Sequence, residues 1–391
     1  MRRPLINSKV QQIQPSGIRK FFDIVAQMDD VISLGVGEPD FPTPWHVREE
    51  GIYALEKGLT TYTSNAGLFE LREAVSDYLY QRYALKYRPK DQILITVGAS
   101  EAIDLVMRAV IEPGDEVLIP EPSYVSYAPC VILAGGVPVA VPTTEATDFR
   151  LTSEILERCI TDKTQILVLP YPNNPTGAIM ERKNLEDIAA VIARHDLLVV
   201  SDEIYSELTY GVDHVSIASL PGMQERTVLI NGFSKAFSMT GWRLGYAAGE
   251  PELIAAMTKI HQFTIMCTPT ISQYAAIEAL RNGMESVQTM REQYDLRRKF
   301  VVKGFRQMGL DCFEPKGAFY VFPSIKRLGI SSDEFCDRLL REERVAVVPG
   351  TAFGKSGEGH IRCSYAYSMR NLEEALARIG RFVNRIIAEQ D

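Results

Sequence analysis

One lysine in the sequence stands where its amine could do chemistry. Lys235 lies in the stretch NGFSKAFSMTGWRLGY, just after a short apolar run that has the pattern of a strand. A lysine amine is a weak nucleophile while it is protonated, so a reactive lysine needs a sheltered site that lowers its pKa and a carbonyl partner for a Schiff base. Ser234 offers a hydroxyl beside it, and Arg243 could bring a guanidinium to a phosphate. Taken alone, these residues are typical of a surface turn, so the interpretation depends on other stretches of the chain.

Two further apolar runs end abruptly in polar residues. The run QILVLPYPNNPTG ends in a turn that contains Asn174, and the run LLVVSDEIY stops at Asp202, which is followed by Tyr205. Open α/β sheets bind ligands at the carboxyl ends of their strands, so we expect these side chains to approach Lys235. Asn173 stays open as an alternative to Asn174, and Asp202 could also serve as a helix cap or a solvated turn acid.

A third stretch has the features of an anion site. QILITVGASEAIDLVMRAVI has the pattern of a strand, a glycine and an amphipathic helix. At the start of such a helix, the amides of Ala99 and Ser100 and the helix dipole would bind an anion without a dedicated side chain. The pattern is common, so it carries weight only beside the other stretches. Tyr124, in PSYVSYAPC, could stack on a flat heteroaromatic ligand or could be a core tyrosine.

The elements that must position these residues follow from the order of the patterns. In the middle third of the chain, apolar strand patterns alternate with helix patterns, which predicts an α/β fold with a mainly parallel sheet covered by helices. We predict a large domain at residues 45–284 and a smaller α+β domain built from both chain ends, residues 1–44 and 285–391. Asn371 and Glu374 have the spacing of a capping box for the last helix.

The composition argues against several classes of function. The chain has 391 residues, 46% of them hydrophobic, and a formal net charge of −8. An acidic chain is a poor general surface for nucleic acid or anionic membranes, so we expect neither as a partner. The six cysteines form no C-x-x-C pair and the five histidines no ligand-like cluster, so we expect no metal site. Cysteines within apolar runs, and no evident signal peptide or membrane span, favour the cytoplasm.

Four motifs occur in order, separated by tens of residues: YPNNPTG, SDEIYSEL, SKAFSMTGWRLGY and GHIRCSYA. Together they resemble the pyridoxal-phosphate-dependent aminotransferases of fold type I, class I/II. The resemblance implies an enzyme that moves an amino group from an L-amino acid to a 2-oxo acid by a ping-pong mechanism. It also implies that the large domain binds the cofactor and that the protein is a homodimer with shared active sites.

The resemblance implies a role for each polar residue near the cofactor ring. Lys235 would hold the cofactor and, once released as a free amine, would carry a proton during the reaction. Asp202 would keep the pyridine nitrogen protonated, which the electron-withdrawing chemistry of this cofactor requires. Tyr205 and Asn174 would donate hydrogen bonds to the phenolic oxygen, and Tyr124 matches the aromatic residue that stacks on the ring.

The resemblance also implies a phosphate site and a substrate site. The groups expected on the phosphate are Arg243, Ser234, the amides of Ala99 and Ser100, and Tyr62 from the partner chain. Many relatives carry a serine where this chain has Gly232. Arg362, in the strand-like IRCSYA, would clamp the substrate carboxylate because only arginine offers a rigid planar fork, although it could also be a surface arginine on an edge strand. The loop with Gly37 would line the substrate pocket, which Asn174 also borders.

The choice of substrate depends on the stretches that line the pocket. FTIMCTPT, residues 263–270, holds no basic side chain for a second carboxylate. The N-terminal run PSGIRKFF adds Ile18, Phe21 and Phe22 but also Arg19 and Lys20. We therefore predict a permissive pocket for aromatic or medium-sized apolar amino donors, with aspartate left open and 2-oxoglutarate accepted as the oxo acid.

Two alternatives use the same residues differently. A carbon–sulfur β-lyase on the same scaffold would need the same lysine and carboxylate, and dependence on a 2-oxo acid would separate the two activities. A non-catalytic ligand-sensing module is a remote alternative, because the acidic chain shows no helix-turn-helix before the aminotransferase pattern begins.

Overall fold

The computed structural model describes residues 5–14, 28 and 30–390 of the chain. Its helices are α1 (Ser8–Gln12), α2 (Trp45–Glu56), α3 (Phe69–Tyr83), α4 (Gly98–Val110), α5 (Tyr127–Ala134), α6 (Ser153–Cys159), α7 (Arg182–Arg194), α8 (Pro251–Thr264), α9 (Thr270–Asn282), α10 (Met284–Gln307), α11 (Ser332–Glu343) and α12 (Met369–Gln390). Its strands are β1 (Ile32–Ser33), β2 (Ile93–Thr96), β3 (Glu116–Glu121), β4 (Val137–Pro142), β5 (Thr164–Leu169), β6 (Leu198–Asp202), β7 (Thr227–Gly232), β8 (Gly245–Ala248), β9 (Tyr320–Val321), β10 (Val345–Ala346), β11 (Val348–Pro349) and β12 (Ile361–Ser364). The N-terminal run with Ile18, Arg19, Lys20, Phe21 and Phe22 lies outside the described residues.

Seven strands form the central sheet in the order β2, β8, β7, β6, β5, β3, β4. The pairs from β7 to β4 are all parallel, whereas β8 is antiparallel to both β7 and β2. The predicted α/β fold with a mainly parallel sheet is confirmed. The reversed strand β8 was not predicted, because its apolar run LGYAAGE looks the same in either direction.

The strands of this sheet lack polar alternation because helices cover both faces. β2, β7 and β8 are buried along their whole length. Helix α4 packs its apolar face, with Ile103, Val106 and Met107, into the core beside them. A strand covered on both faces reads as a continuous apolar run, and its first solvent-accessible polar residue marks its end. This is why polar side chains collect along the carboxyl edge of the sheet.

A second unit contains the small strands and the last helices. β12 lies between β11 and β9 in an antiparallel sheet, and β1 pairs in parallel with β10, which brings the N-terminal part of the chain to the C-terminal part. Phe335 of α11 and Phe382 of α12 pack edge to face with ring centroids 5.1 Å apart. One hydrophobic cluster runs from Leu71 in α3 to Ile386 in α12, so the second unit packs against the first without a break in the core.

The capping box predicted at Asn371 and Glu374 is wrong. The last helix begins at Met369, and the amide of Asn371 donates to Ser368 Oγ at 3.3 Å. Ser368 is therefore the residue that caps the helix, because a serine before the first turn accepts a hydrogen bond from an amide of that turn. Within the described ranges, none of the helices combines the length and the apolarity that a membrane crossing requires.

Candidate active site

A cavity of about 360 Å³ opens where the carboxyl ends of β2, β3, β5, β6 and β7 meet. Every residue to which the resemblance assigns a role lines it, except Tyr62. These lining residues are Gly37, Ala99, Ser100, Tyr124, Asn174, Asp202, Tyr205, Ser234, Lys235, Arg243 and Arg362. The fold thus brings together stretches that are far apart in sequence, at the edge where an α/β sheet binds ligands.

The amine of Lys235 lies inside this cavity. Its Nζ donates to the carbonyl of Gly37 at 2.6 Å. Burial lowers the pKa of the Lys235 amine to about 8, an effect that Glu38 opposes and that the guanidinium groups of Arg362 and Arg243 reinforce. A neutral amine is the form that attacks a carbonyl or takes a proton. The site therefore favours the reactive form of this lysine closer to neutral pH than water does.

Asp202 is a buried carboxylate at the end of β6. Its Oδ2 accepts from the hydroxyl of Tyr127 at 2.7 Å, and its Oδ1 accepts from the amide of Ile204 at 3.3 Å. Burial raises the pKa of the Asp202 carboxyl, while these two donors oppose the rise. Its neighbour Glu203 lies outside the cavity, where it accepts from Ser216 Oγ at 2.6 Å. Asp202 is thus oriented to meet a positively charged or proton-bearing group in the cavity.

Arg362, on β12, is held by two hydrogen bonds and two aromatic rings. One terminal nitrogen donates to Asn174 Oδ1 at 2.9 Å, and the other donates to the carbonyl of Gly35. Its guanidinium carbon lies 4.6 Å from the ring centroid of Tyr320 and 4.9 Å from that of Phe353. Its Nε is buried and has no hydrogen-bond partner among the described residues. An unpaired buried donor is costly, so this edge of the guanidinium fits a carboxylate ligand.

Asn173 and Asn174 have different roles in the turn after β5. Asn173 Oδ1 accepts from both the amide and the hydroxyl of Thr176, at 3.2 Å and 2.9 Å, so Asn173 stabilises the turn itself. Asn174 lines the cavity and accepts from Arg362 with its oxygen. Its amide nitrogen is therefore the group left to donate into the cavity.

The start of α4 and the start of β8 form a close-packed cradle. A Cβ atom at Gly245 would lie 2.6 Å from the amide nitrogen of Ala99, and one at Gly98 would lie 2.8 Å from a terminal nitrogen of Arg243. Gly98 also has a φ of +76°, which disfavours any side chain there. These glycines let the first amides of α4 and the Arg243 guanidinium converge. A helix N-terminus with an adjacent arginine suits a phosphate group.

Of the four remaining predicted residues, three line the cavity and one does not. Ser234 and Tyr124 both line the cavity, and the Tyr124 ring packs edge to face on Tyr127 at 5.7 Å. Gly37 accepts no side chain, because a Cβ there would lie 2.4 Å from the hydroxyl of Tyr320. Tyr62 is 80% exposed and lies on the surface of this chain.

The lining residues that the sequence did not single out include Tyr127, Tyr320 and Glu38. Tyr127 follows Tyr124 by three residues, and that spacing in the sequence could have indicated that both face one site. Tyr320 lies within the apolar run GAFYVFP, where it looks like an ordinary core residue. Glu38 adjoins Gly37 in an irregular segment, and its hydrogen bond from Thr240 Oγ1 at 3.3 Å is a long-range contact that no local pattern predicts.

Comparison with known proteins shows the family of this chain. The sequence pattern of the family described as aminotransferase class I and II matches residues 29–379 of the chain. The chain belongs to the class I and II aminotransferases. It is 50% identical to the aspartate aminotransferase of Pyrococcus abyssi over 377 residues, which cover 96% of this chain and 97% of that protein.

Two more aminotransferases are similar over nearly their full length. Aromatic-amino-acid aminotransferase 2 of Thermococcus litoralis is 48% identical over 377 residues, 96% of this chain and 97% of that protein. The crystal structure of the aromatic aminotransferase from Pyrococcus horikoshii OT3 superposes with a TM-score of 0.90 at 48% identity, covering 94% of this chain and 99% of that one. The protein is therefore an enzyme of amino-acid transamination, and the comparisons give no support to the β-lyase alternative.

The aminotransferases of this class depend on pyridoxal phosphate, and the cavity fits that group. The cofactor needs an acid at its ring nitrogen, donors at its phenolic oxygen and an anion site for its phosphate. The cavity has a buried carboxylate at Asp202, hydroxyl and amide groups at Tyr205 and Asn174, and the cradle formed by Gly98 and Gly245.

Proposed function

We propose that this aminotransferase holds pyridoxal phosphate on Lys235 and transfers amino groups from an L-amino acid to a 2-oxo acid by a ping-pong mechanism. The observation that carries the proposal is the position of the Lys235 amine, whose pKa burial lowers to about 8, in the same cavity as the buried Asp202 and Arg362. A nucleophilic amine, an acid for the cofactor ring and a clamp for a carboxylate are the three groups that amino transfer requires.

Each part of the cofactor has a matching group in the chain. When bound, pyridoxal phosphate supplies an electron sink that stabilises negative charge at the substrate α-carbon. The buried Asp202 favours a protonated pyridine nitrogen, because an isolated charge at that depth would be unfavourable. Tyr205 and the Asn174 amide would donate to the phenolic oxygen, and Tyr124 would stack on the ring. The phosphate would take the amides of Ala99 and Ser100, the Arg243 guanidinium and the Ser234 hydroxyl.

In this proposal, Lys235 is the group that moves the proton. Its neutral Nζ takes a proton from Cα of the bound amino acid, and in the reverse half-reaction it delivers a proton to Cα of the new product. Arg362 binds the α-carboxylate with the edge that carries its unpaired Nε, which fixes Cα relative to Lys235. Asn174 holds Arg362 from the other side, at 2.9 Å.

The proposed amino donors are aromatic and apolar amino acids, with aspartate as a further donor and 2-oxoglutarate as an acceptor. The walls of the cavity include Ile103, Tyr124 and Tyr320, which suit an apolar side chain. The similar enzymes of Pyrococcus abyssi and Thermococcus litoralis are named for aspartate and for aromatic amino acids respectively. Glu38 lies at the cavity and would disfavour a second carboxylate placed beside it.

We further propose a homodimer in which Tyr62 reaches the phosphate site of the partner chain. Two large aromatic side chains are exposed on this chain, Tyr62 at 80% and Phe263 at 83%. Asn65 Nδ2 donates to the carbonyl of Met266 at 2.8 Å, so the loops that carry these residues form one surface. Mixing Tyr62→Ala chains with Lys235→Ala chains should restore part of the activity, whereas a monomer that stays fully active on dilution would contradict the shared site.

We also propose the two domains predicted above, residues 45–284 and residues 1–44 with 285–391, and a cytoplasmic location. The domain boundaries are supported by the parallel pairing of β1 with β10, which joins the N-terminal segment to the C-terminal unit. The location is supported by the cysteines, whose six thiols are all free.

A half-reaction without any 2-oxo acid tests the proposed function. Protein loaded with pyridoxal phosphate is mixed with one amino acid at a time, and the released 2-oxo acid and ammonia are measured. We expect about one 2-oxo acid per active site and no ammonia, with turnover resuming when 2-oxoglutarate is added. Continuous release of ammonia without an acceptor would instead identify a lyase. The same panel of amino acids ranks the donors.

A further inference from the structure

Tyr320 contacts both the group proposed to bind the substrate and a group proposed to bind the cofactor. It is fully buried on β9, at 0% exposure. Its hydroxyl lies 2.8 Å from the hydroxyl of Tyr205, and its ring lies under the Arg362 guanidinium at 4.6 Å. The same hydroxyl also packs against Gly37, whose carbonyl accepts from Lys235.

We infer that Tyr320 is a positioning residue that couples the substrate carboxylate site at Arg362 to the cofactor contact at Tyr205. The inference rests on the proposed function, because it assigns Tyr205 to the cofactor and Arg362 to the substrate. The hydroxyl and the ring of Tyr320 have different roles, and substitutions can separate these roles.

The hydroxyl of Tyr320 controls which way the Tyr205 hydrogen points. A phenol has one hydrogen to donate and can accept at its oxygen. Burial raises the pKa of both phenols, so both keep their hydrogens near neutral pH. When Tyr320 donates to the oxygen of Tyr205, the hydrogen of Tyr205 is free to point at the phenolic oxygen of the cofactor. A hydrogen bond received by Tyr205 also strengthens the one that it gives.

The ring of Tyr320 fixes the plane of Arg362. The guanidinium lies between Tyr320 and Phe353, with centroid distances of 4.6 Å and 4.9 Å. Of these two rings, Tyr320 is the one that lines the cavity. A planar fork binds a carboxylate well only in the correct plane, and an aromatic face holds a guanidinium without using its donors.

Two substitutions of Tyr320 separate these effects in the holoenzyme. Tyr320→Phe removes the hydroxyl and keeps the ring, whereas Tyr320→Leu removes both. Tyr365→Phe is the matched control, because it also deletes a buried hydroxyl, which donates to the Ala318 carbonyl at 3.1 Å and lies outside the cavity. The first measurement is the pH midpoint of the cofactor's visible absorption. The second is the Kd of 3-phenylpropionate, a carboxylate without an amino group, which reports on Arg362.

Tyr320→Phe removes the hydrogen bond that Tyr205 receives, which should weaken the hydrogen bond from Tyr205 to the phenolic oxygen of the cofactor by about 10–30%. The pH midpoint of the cofactor's visible absorption should therefore rise by roughly 0.1–0.7 unit. Tyr320→Phe should leave the Kd of 3-phenylpropionate unchanged. Tyr320→Leu should raise the midpoint similarly and weaken 3-phenylpropionate by roughly 2- to 30-fold, the range of a partly to fully desolvated cation–π contact. In the Tyr205→Phe background, Tyr320→Phe should produce no further shift.

Several outcomes would overturn the inference. An unchanged or lowered midpoint in Tyr320→Phe, or the same rise in the Tyr205→Phe background, would show that the hydroxyl does not act through Tyr205. Parental binding of 3-phenylpropionate by Tyr320→Leu would show that the ring does not position Arg362. Thermal unfolding identifies a misfolded Tyr320→Leu, and Tyr320→Phe then still decides the role of the hydroxyl. If the parent protein neither takes up the cofactor nor transfers amino groups, the proposed function itself fails.

Discussion

The floor and the gate of the cavity are built in different ways. The floor consists of Asn174, Asp202 and Lys235, which follow neighbouring strands of one sheet. The gate consists of the irregular loop 35–40 together with Arg362 and Tyr320 from the second unit. The strands before the floor residues are each paired on both sides within the central sheet, whereas the gate joins an irregular loop to two strands of the small antiparallel sheet through side-chain contacts between distant segments.

The gate loop is tied down at both of its ends. At one end, the carbonyl of Gly35 accepts from Arg362. At the other, Asp40 accepts from a terminal nitrogen of Arg297 at 2.8 Å, and the Arg297 guanidinium lies over the ring of Phe41 at 5.1 Å. Between these ties the carbonyl of Gly37 accepts from Lys235. Changes to the floor should therefore alter cofactor chemistry. Changes to the gate should alter substrate affinity, except at the Tyr320 hydroxyl, which contacts Tyr205.

The largest expected effect is on the floor. Lys235→Ala should lower the rate of amino transfer by at least about 10²–10⁴-fold, the usual contribution of a group that transfers protons. The cradle at Gly98 and Arg243 should still bind the cofactor, now without a covalent link, which equilibrium dialysis measures. Lys259→Ala, an exposed lysine on α8, is the control. A Lys235→Ala enzyme with the parental rate would remove this lysine from the chemistry.

The next largest effect is expected from a substitution in the gate. Arg362→Lys should raise KM for the amino donor by roughly 10- to 150-fold, equivalent to about 1.5–3 kcal/mol, because lysine cannot supply the planar fork. The cofactor Kd should stay the same, since the floor is intact. Arg341→Lys is the control, because that side chain is 73% exposed and paired with Asp337. Equal loss of cofactor and substrate affinity would contradict the separation of floor and gate.

The pH dependence of cofactor uptake tests the floor without any substitution. Because burial lowers the pKa of Lys235 to about 8, the apoprotein amine is mainly protonated below that pH and mainly neutral above it. Only the neutral amine attacks a carbonyl, so the rate of covalent uptake should rise up to about tenfold per pH unit below 8 and level off above it. Stopped-flow absorption measures the rate. A rise that continued to pH 10 would show that the amine has an ordinary pKa.

The smallest effect concerns the tie at the end of the gate loop. Asp40→Asn keeps the size of the side chain and removes the charge that faces Arg297. The pair is partly exposed, so the loss should be that of an ordinary hydrogen bond, about 0.5–1.5 kcal/mol, or roughly a two- to tenfold rise in KM. Cofactor affinity should not change. A parental KM would show that the loop is fixed by its other contacts.

The same contrast explains what the sequence could predict. Asp202 and Asn174 were identifiable because each lies where an apolar run stops. Polar residues after such a run mark the end of a strand that is buried on both faces. Lys235 was identifiable from its motif and from the strand before it. The floor is encoded locally, so it can be found in the sequence.

In the gate, Arg362 and Gly37 were predicted from the resemblance, but Tyr320 and Glu38 could not be found from local patterns. Tyr320 is buried in an apolar strand, and only the three-dimensional contact with Tyr205 distinguishes it from a core tyrosine. Glu38 depends on Thr240, which lies far along the chain. The error at Asn371 had a local cause, because Ser368 supplies an equally good cap one turn earlier.

The central claim is that Lys235 carries the cofactor, and covalent trapping tests it most directly. The protein is loaded with pyridoxal phosphate, reduced with borohydride, digested and mapped by mass spectrometry. The label should appear on the peptide that contains Lys235 and on no other, at about one per chain. A label on Lys259 or on any other lysine, with the Lys235 peptide unmodified, would contradict the claim.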